Sequence, residues 1–555
     1  MSNAKPHKSN RLPEKILESL DRLSASTTAR RAAYSSALAF FVAIILIPPI
    51  VGVILKWNLI GETLQNPALV TRAESAILAS FAIAFIVSLL DLIAGLPTAW
   101  LIVRRKSRWI NVIDTLADIP FVIPTVALGY STWIFWSQPQ GLSGLLQVES
   151  IVSPGVGLIM LLHFAFSYPI IVRIMVGELQ EYDQVYETAA RTLGASPLTA
   201  ARTVTLPILK PALVSAFLLA FCRSLSETGA TFIVAGSFEN GSVFIRNAKD
   251  AYQEGPMVLV SLVLIVTSCT IFALISLLGP RLSFPSKKVW PKYEKLLSSS
   301  SSAWVKDGFA LLVFGFFVAL PSLFVALPGI AAFGDGTAVA ALTGADVWGV
   351  FWASLLMSYV VGVAATLMNL LVGFPMAVII ARRKFGNRIT AFFDALISIP
   401  ITIPSVALGV SLSYFWAAFG SIPEFWVLVL VHTTITYTYF VRAMVAAIES
   451  VPEELEAVAR TLGGHPFETF RKILLPLTKY SIFSGAVMVL TRSIDETGAT
   501  MAVVKQIKTA PVLLVDWIKS PEKYSQSTVG LGILFIVLTV FISLLIIRLA
   551  LRRER

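Results

Sequence analysis

Twelve stretches of this chain stay apolar for about twenty residues or more, the length a helix needs to cross the hydrocarbon of a bilayer. Six lie near 35–56, 75–103, 112–136, 156–177, 208–234 and 257–279, and six near 308–332, 349–381, 391–419, 424–447, 478–504 and 527–550. In lipid each backbone polar group must be satisfied inside its own element, so such stretches predict helices and little else. The expected fold class is an all-α polytopic membrane protein with about 12 transmembrane helices. Composition agrees, since a chain of 555 residues that is 56% hydrophobic and only 14% charged could not shield its apolar surface from water.

Lys and Arg set the expected orientation, because short basic loops stay cytoplasmic. The loops with Arg104, Arg105, Lys106 and Arg108, and with Arg382, Arg383, Lys384 and Arg388, are strongly basic, whereas 137–153 and 417–423 contain neither residue. The polar segment 1–31, with Lys5, Lys8, Arg11, Lys15, Arg22, Arg30 and Arg31, is too long and mixed for the charged region of a cleaved signal peptide and reads as a cytoplasmic N-terminal tail. The tail 551–555, with Arg552, Arg553 and Arg555, falls on the same side, so the expectation is a multi-pass protein of the cell membrane with both termini cytoplasmic. The exception is 505–523, which puts Lys505, Lys508, Lys519 and Lys523 on the outer side, partly offset by Asp516 and Glu522. The net charge of +11 is mostly this inside bias and calls for no nucleic-acid partner. Cys222 and Cys269 each sit in an apolar segment, and two cysteines build neither a disulfide framework nor a metal cluster.

The chain also repeats itself. Residues 162–231 align with 431–500 at a constant shift of 269: His163, Tyr168 and Arg173 fall on His432, Tyr437 and Arg442, and Glu-Thr-Gly-Ala-Thr at 227–231 recurs at 496–500. Upstream the shift is 280 for Ile-Pro at 119–120 and Ala-Leu-Gly at 127–129, then 278 for Gly95, Pro97 and Arg104, which places the length differences in loops. The expected domains are repeats at 32–280 and 308–550 joined by a polar cytoplasmic linker, 281–307, containing Pro285-Ser286-Lys287-Lys288 and a serine run at 298–302. Six helices per repeat make the halves parallel copies, related by a pseudo-twofold axis along the membrane normal, with the pathway at their interface.

Between the fourth and fifth spans of each repeat lies a polar stretch longer than a helix connection needs. It reads Glu187-Thr-Ala-Ala-Arg-Thr-Leu-Gly194, Ser196-Pro197 and Val204-Thr-Leu206-Pro207 in the first copy. The second reads Glu456-Ala-Val-Ala-Arg-Thr-Leu-Gly463, His465-Pro466 and Ile473-Leu-Leu475-Pro476. Helix formers running up to a glycine, with a proline three residues later, predict helix, sharp turn, helix. Ala189, Ala190 and Leu193 would give the first helix a small apolar face that can dock in a partner's groove or lie on the membrane surface. Two copies suit a paired partner.

Ala-Ala, three residues, Gly, nine residues, Ile or Val, one residue and Leu-Pro resembles the EAA loop of ABC importer permeases, and the resemblance spans essentially the whole chain. The fused form is similar to the type I permeases of the ferric iron, thiamine and aminoethylphosphonate group. The resemblance makes Glu187, Ala189, Ala190, Gly194, Leu206, Pro207, Glu456, Ala459, Gly463, Leu475 and Pro476 the expected ATPase-coupling residues. The departure is at the glutamate: its register holds Thr188 and Ala457, with Glu187 and Glu456 one residue earlier. No Gly-Lys dipeptide occurs, so the chain has no P-loop. The resemblance therefore implies two separately encoded cytosolic ABC ATPase subunits carrying ATP and Mg, an extracytoplasmic solute-binding protein, and no cofactor on this chain.

Arg223 and Glu227, with their counterparts Arg492 and Glu496, stand four residues apart inside apolar spans, either as neutralised pairs or as part of a pathway. In the second case Thr228, Gly229, Thr497 and Gly498 line it too, the glycines allowing close approach or a helix break. Glu-Thr-Gly-Ala-Thr is similar to the Glu-Phe-Gly-Ala-Thr of molybdate and sulfate permeases, so the two resemblances point to different solutes. Asp91, where the second repeat has Asn369, and Asp495, where the first has Ser226, break the symmetry; Asp91 is a pathway candidate or a helix-paired carboxylate. His163 and His432 read as interhelical donors, not metal ligands, and the prolines at 120, 124, 400 and 404 as kinks. A secondary transporter would share the helices and the repeat without needing docking loops. A membrane enzyme or a channel lacks, respectively, a nucleophile with its base and a ring of like residues.

Overall fold

The computed structural model describes residues 19–278 and 289–552, apart from Leu20, Lys106 and Ser421. Of the residues singled out above, Lys5, Lys8, Arg11, Lys15, Lys106, Pro285, Ser286, Lys287, Lys288, Arg553 and Arg555 lie outside the described residues. Among those described the chain is helical without a strand. Among the described residues nine helices are long and apolar enough to cross a membrane, and counting each of three sharply bent pairs as one span brings the number to 12. The protein is an all-α polytopic membrane protein of two six-helix halves.

Proline places most of the irregularity. Spans three of the two halves, Arg108–Phe121 with Thr125–Leu145 and Asn387–Thr402 with Ser405–Ala417, bend by 108° and 104°. Pro124 and Pro404 sit at these breaks in extended backbone, immediately before the new helix starts. These are therefore breaks, not the kinks expected from sequence, because proline forces the preceding residue, Ile123 or Ile403, out of helical geometry. The fifth span of the first half bends by a further 72° at Leu209, ahead of Pro211, whereas the second half, with Tyr480 there, runs on from Leu475 to Asp495. Widened π-helical turns at Phe41–Leu46, Ala201–Thr205, Phe314–Ala319 and Phe470–Leu474 each end two residues before a proline: Pro48, Pro207, Pro321 and Pro476. A residue with no N–H and a ring that crowds the carbonyl four back is accommodated by a wider turn.

The halves interlock through their first spans. In Thr27–Ile54, Phe41 stacks on Tyr437 of the other half at 5.7 Å, and the Ser411 hydroxyl accepts from Val53 N and donates to Pro48 O. In Ser301–Ala331, Phe314 stacks on Tyr168 and the Ser131 hydroxyl donates to Pro321 O, repeating the arrangement. The serine run 298–302 is not a loose connector: Ser299 caps the helix that becomes this span, accepting from Ser302 N at 3.2 Å.

Candidate functional site: two coupling elbows and a central seam

Each loop between the fourth and fifth spans is a short helix, a tight turn and a second helix. Val185–Thr192 and Glu453–Thr461 end at Gly194 and Gly463, whose φ angles of +93° and +88° fall in the left-handed region that side chains resist. The turn closes with Ala195 N donating to Ala190 O at 3.1 Å and Gly464 N to Ala459 O at 2.9 Å, so the backbone's last carbonyls are satisfied. Pro197 and Pro466 then open the next helices. The elbows present Leu193, 90% exposed, and Leu462, 82% exposed, at their tips. Tyr186, Leu455 and Val458, which sequence reasoning did not single out, are also exposed. Each tip thus offers a small apolar face of the kind that can seat in a partner's groove. Ala189, Leu475 and Pro476 are exposed, and Ala190, Leu206, Pro207 and Ala459 are half-buried.

Glu187 and Glu456 face the other way. Glu187 pairs with Arg104 at 2.6 Å and Glu456 with Arg382 at 2.8 Å, each arginine standing at the end of its half's second span. Both carboxylates are shielded by these ion pairs, so they anchor the elbow to the bundle and do not point from its tip. The one-residue displacement of glutamate noted in the sequence turns the side chain about 100° around the helix, which is enough to exchange the outward face for the one that meets the bundle.

At the far end of the fifth spans both helices stop, at Ser226 and Asp495, and short helices Gly229–Val234 and Gly498–Val503 begin. The continuous spans expected over 208–234 and 478–504 are thus broken at the Glu-Thr-Gly-Ala-Thr motif. Each glutamate serves both sides of its break. Glu227 accepts from Arg223 at 2.9 Å and from Ala230 N at 3.2 Å; Glu496 accepts from Arg492 at 2.6 Å and from Ala499 N at 3.0 Å. A carboxylate on the free N–H groups of a helix start is favoured by charge as well as by the hydrogen bond. His163 bridges the same break, with Ser224 Oγ and Thr231 Oγ1 each 2.8 Å from a ring nitrogen, and His432 does so through Ser493 Oγ and Thr500 Oγ1. Both rings are fully used as interhelical donors and acceptors.

The two motifs meet. A Cβ built on Gly229 would lie 2.6 Å from Thr497 Cβ, and one on Gly498 2.7 Å from Thr228 Cβ, so each glycine receives the other half's threonine. Around this seam the Arg223 guanidinium lies 4.8 Å from the centre of the Phe166 ring. Across it, Asp495 Oδ1 accepts from Thr125 N at 2.6 Å, at the N-terminus of helix Thr125–Ser137 from the other half. At the equivalent helix start the Ser405 hydroxyl meets Thr228 Oγ1 at 3.4 Å and the Glu496 carboxylate of its own half. Thr125 and Ser405 carried no signal in the sequence that marks them as seam residues. Asp91 is not brought into this group: it is fully buried between the second and fourth spans of its own half, accepting from Ser167 Oγ, while Asn369 donates to Thr436 Oγ1 at 2.8 Å in the same place. Its position favours the reading as a helix-paired carboxylate. Among the described residues no three His, Cys, Asp or Glu side chains converge as a metal site.

Residues 91–284 and 373–554 match the family described as binding-protein-dependent transport system inner membrane component, one match in each half. The sulfate transport system permease protein CysT of Salmonella typhimurium is 33% identical over 205 residues, which are 36% of this chain and 72% of that protein. The molybdate/tungstate transport system permease protein WtpB of Pyrococcus furiosus is 33% identical over 180 residues, 32% of this chain and 71% of that protein. A probable sulfate transport system permease protein of Nephroselmis olivacea is 32% identical over 213 residues, 37% of this chain and 74% of its own length.

Proposed function

The chain belongs to the family of binding-protein-dependent transport system inner membrane components, in two fused copies, and from that premise we propose that it moves a small tetrahedral oxyanion. It is a membrane-embedded transport permease of the ABC importer family and not an enzyme; the ATPase is a separate protein. The secondary-transporter reading falls away with that membership. In this proposal the oxyanion is sulfate, molybdate or tungstate, as the relatives' names suggest, and not ferric iron, thiamine or a phosphonate.

The observation that carries the solute class is at the seam: a carboxylate, Asp495, accepts from the backbone N–H that opens helix Thr125–Ser137, while at the matching start the Ser405 hydroxyl meets Thr228 Oγ1 and the Glu496 carboxylate. Half-helix starts carry partial positive charge, and inside a membrane they are aimed at anionic groups. Arg223 and Arg492 stand at the same breaks, each neutralised here by Glu227 or Glu496. On this reading Arg223, Glu227, Thr228, Gly229, Arg492, Glu496, Thr497 and Gly498 form the closed pathway, and separation of the halves frees the helix starts for the anion. Two cytosolic ATPase subunits, holding ATP and Mg, dock on the elbows around Leu193 and Leu462; an extracytoplasmic binding protein delivers the solute to the opposite face, and both termini are cytoplasmic. This chain itself holds no cofactor. The test is uptake into proteoliposomes containing the chain with its co-expressed ATPase and binding protein. Labelled sulfate or molybdate should enter only with ATP and should be displaced by other tetrahedral dianions. Uptake of thiamine or ferric iron that excess oxyanion leaves untouched would refute the proposal.

A further inference from the structure

Just ahead of the second half's first span, helix Pro291–Leu297 lies on the first half's coupling elbow. Glu294, 3% exposed, accepts from Arg202 Nη2 at 2.6 Å and from Thr199 Oγ1, both on the second arm of that elbow. Ser298 Oγ accepts from Leu198 N at 3.0 Å, and the Arg202 guanidinium lies 5.4 Å from the centre of the Trp290 ring. Ser299 then caps the first span of the second half, so this contact continues directly into a membrane helix. That span runs across the first half, with Phe317 stacked on Trp136 at 5.7 Å, and its far end sets Pro328 and Gly329 directly on Gly530 of the second half's last span. It is a strut from one half's elbow to the other half's last helix.

The second elbow has the same contact in weaker form. Ser24 Oγ accepts from Phe467 N at 3.1 Å, and Phe467 repeats Leu198 at the shift of 269. Where the first elbow has Thr199 donating to Glu294, the second has Glu468, whose carboxylate is paired with Lys472 at 2.6 Å on its own helix. Among the described residues the buried charge-assisted clamp is found at the first elbow, and charge-assisted bonds between shielded groups are the strong ones.

We propose that Glu294 is a positioning residue for coupling, fastening the first elbow to the strut so that motion imposed on one half's elbow is delivered to the last span of the other. The proposal rests on the elbows being the ATPase contacts. It gives physical content to coupling, because both ends of the strut are packed contacts that shift together or not at all.

The test uses the full complex of chain, ATPase and binding protein in proteoliposomes, measuring oxyanion uptake and ATP hydrolysis together. Glu294→Gln keeps the side chain's shape and removes its charge. The expected result is unchanged membrane insertion, unchanged copurification of the ATPase and continued hydrolysis, with uptake per ATP reduced at least about five-fold, equivalent to about 1 kcal/mol of lost coupling. Exchanging the charges, Glu294→Arg with Arg202→Glu, should recover at least half of the lost ratio, as a merely structural defect would not. An unchanged uptake-to-ATP ratio in Glu294→Gln, or a loss that the exchange leaves in full, overturns the proposal. Failure of the underlying reading looks different, since the ATPase would then not copurify with the unaltered chain.

Discussion

The seam makes a quantitative prediction through Gly229. An alanine there puts a Cβ 2.6 Å from Thr497 Cβ and 2.8 Å from Thr497 Cγ2, whereas carbon atoms in contact prefer about 3.5–4.0 Å. The two loops must therefore part by about 1 Å, and overpacking of this kind costs about 1–3 kcal/mol. If the contact is the closed gate, that cost falls on the closed state alone and raises the open population roughly 5- to 150-fold. The reporter is Thr228→Cys, buried at the seam, in a chain whose Cys222 and Cys269 are replaced by serine. Its rate of modification by a membrane-impermeant thiol reagent measures how often the seam opens. Gly229→Ala should raise that rate within the stated range, and adding Thr497→Gly, which removes the obstructing atoms, should return it towards the parent value. A rate that Gly229→Ala leaves unchanged, or an increase that Thr497→Gly does not reverse, refutes the assignment of this contact as the gate.

Gly194→Val together with Gly463→Val should leave the membrane fold intact but uncouple hydrolysis from uptake, since a β-branched residue in the left-handed region costs about 1–2 kcal/mol per site; solute-stimulated hydrolysis equal to that of the unaltered complex would count against the elbows. The paired neutralisations Arg223→Gln with Glu227→Gln, and Arg492→Gln with Glu496→Gln, should still insert and bind the ATPase yet fail to move solute. Uptake near the unaltered level in those doubles would return the pairs to a structural role, because loss of both partners strands no charge. On the face opposite the elbows, Lys249 donates to Met501 O and Val504 O of the other half, and burial, with Arg246 and Lys505 nearby, lowers its pKa to about 8 against the opposing pull of Asp250 and Glu424. The unfolded chain then holds this proton more tightly than the folded one, so stability attributable to Lys249 should rise with pH from about 8 towards 10.5. Thermal unfolding of the solubilised protein against Lys249→Met, measured across that window, should show the gap shifting with pH in favour of the lysine; a gap that stays constant contradicts the shift.

The spans, the repeat and both elbows could be read from the chain because each rests on a local rule. Length and apolarity give the helices, and the pattern from Ala189 to Pro207 gives the turn, since only glycine at 194 sits easily at φ +93°. What sequence could not supply is pairing across the axis. Nothing local distinguishes Thr125 from any other helix start, yet it holds Asp495 from a position 370 residues away. Glu187 shows the same limit in a subtler form. Its motif suggests an outward contact, but whether a side chain points to a partner or to Arg104 depends on one residue of register and on where the second span ends.

The departures from symmetry share a direction. Asp495 replaces Ser226 at the seam, Glu294 clamps the first elbow, and Lys249 reaches the backbone of the second half's short helix where its near-counterpart Lys519 lies against the Phe232 ring at 4.5 Å. In a chain made of two identical subunits no such difference could persist, because every substitution would appear on both sides of the axis. Fusion removes that constraint. A helix N-terminus whose backbone holds Asp495, opposite one whose Ser405 hydroxyl meets Glu496, offers a dianion two unequal ends, and an elbow clamped more firmly than its twin answers its ATPase differently. Both halves share the break at Glu-Thr-Gly-Ala-Thr and the glycine turn of the elbow, while Asp495, Glu294 and Lys249 set the two sides apart at contacts where the halves touch.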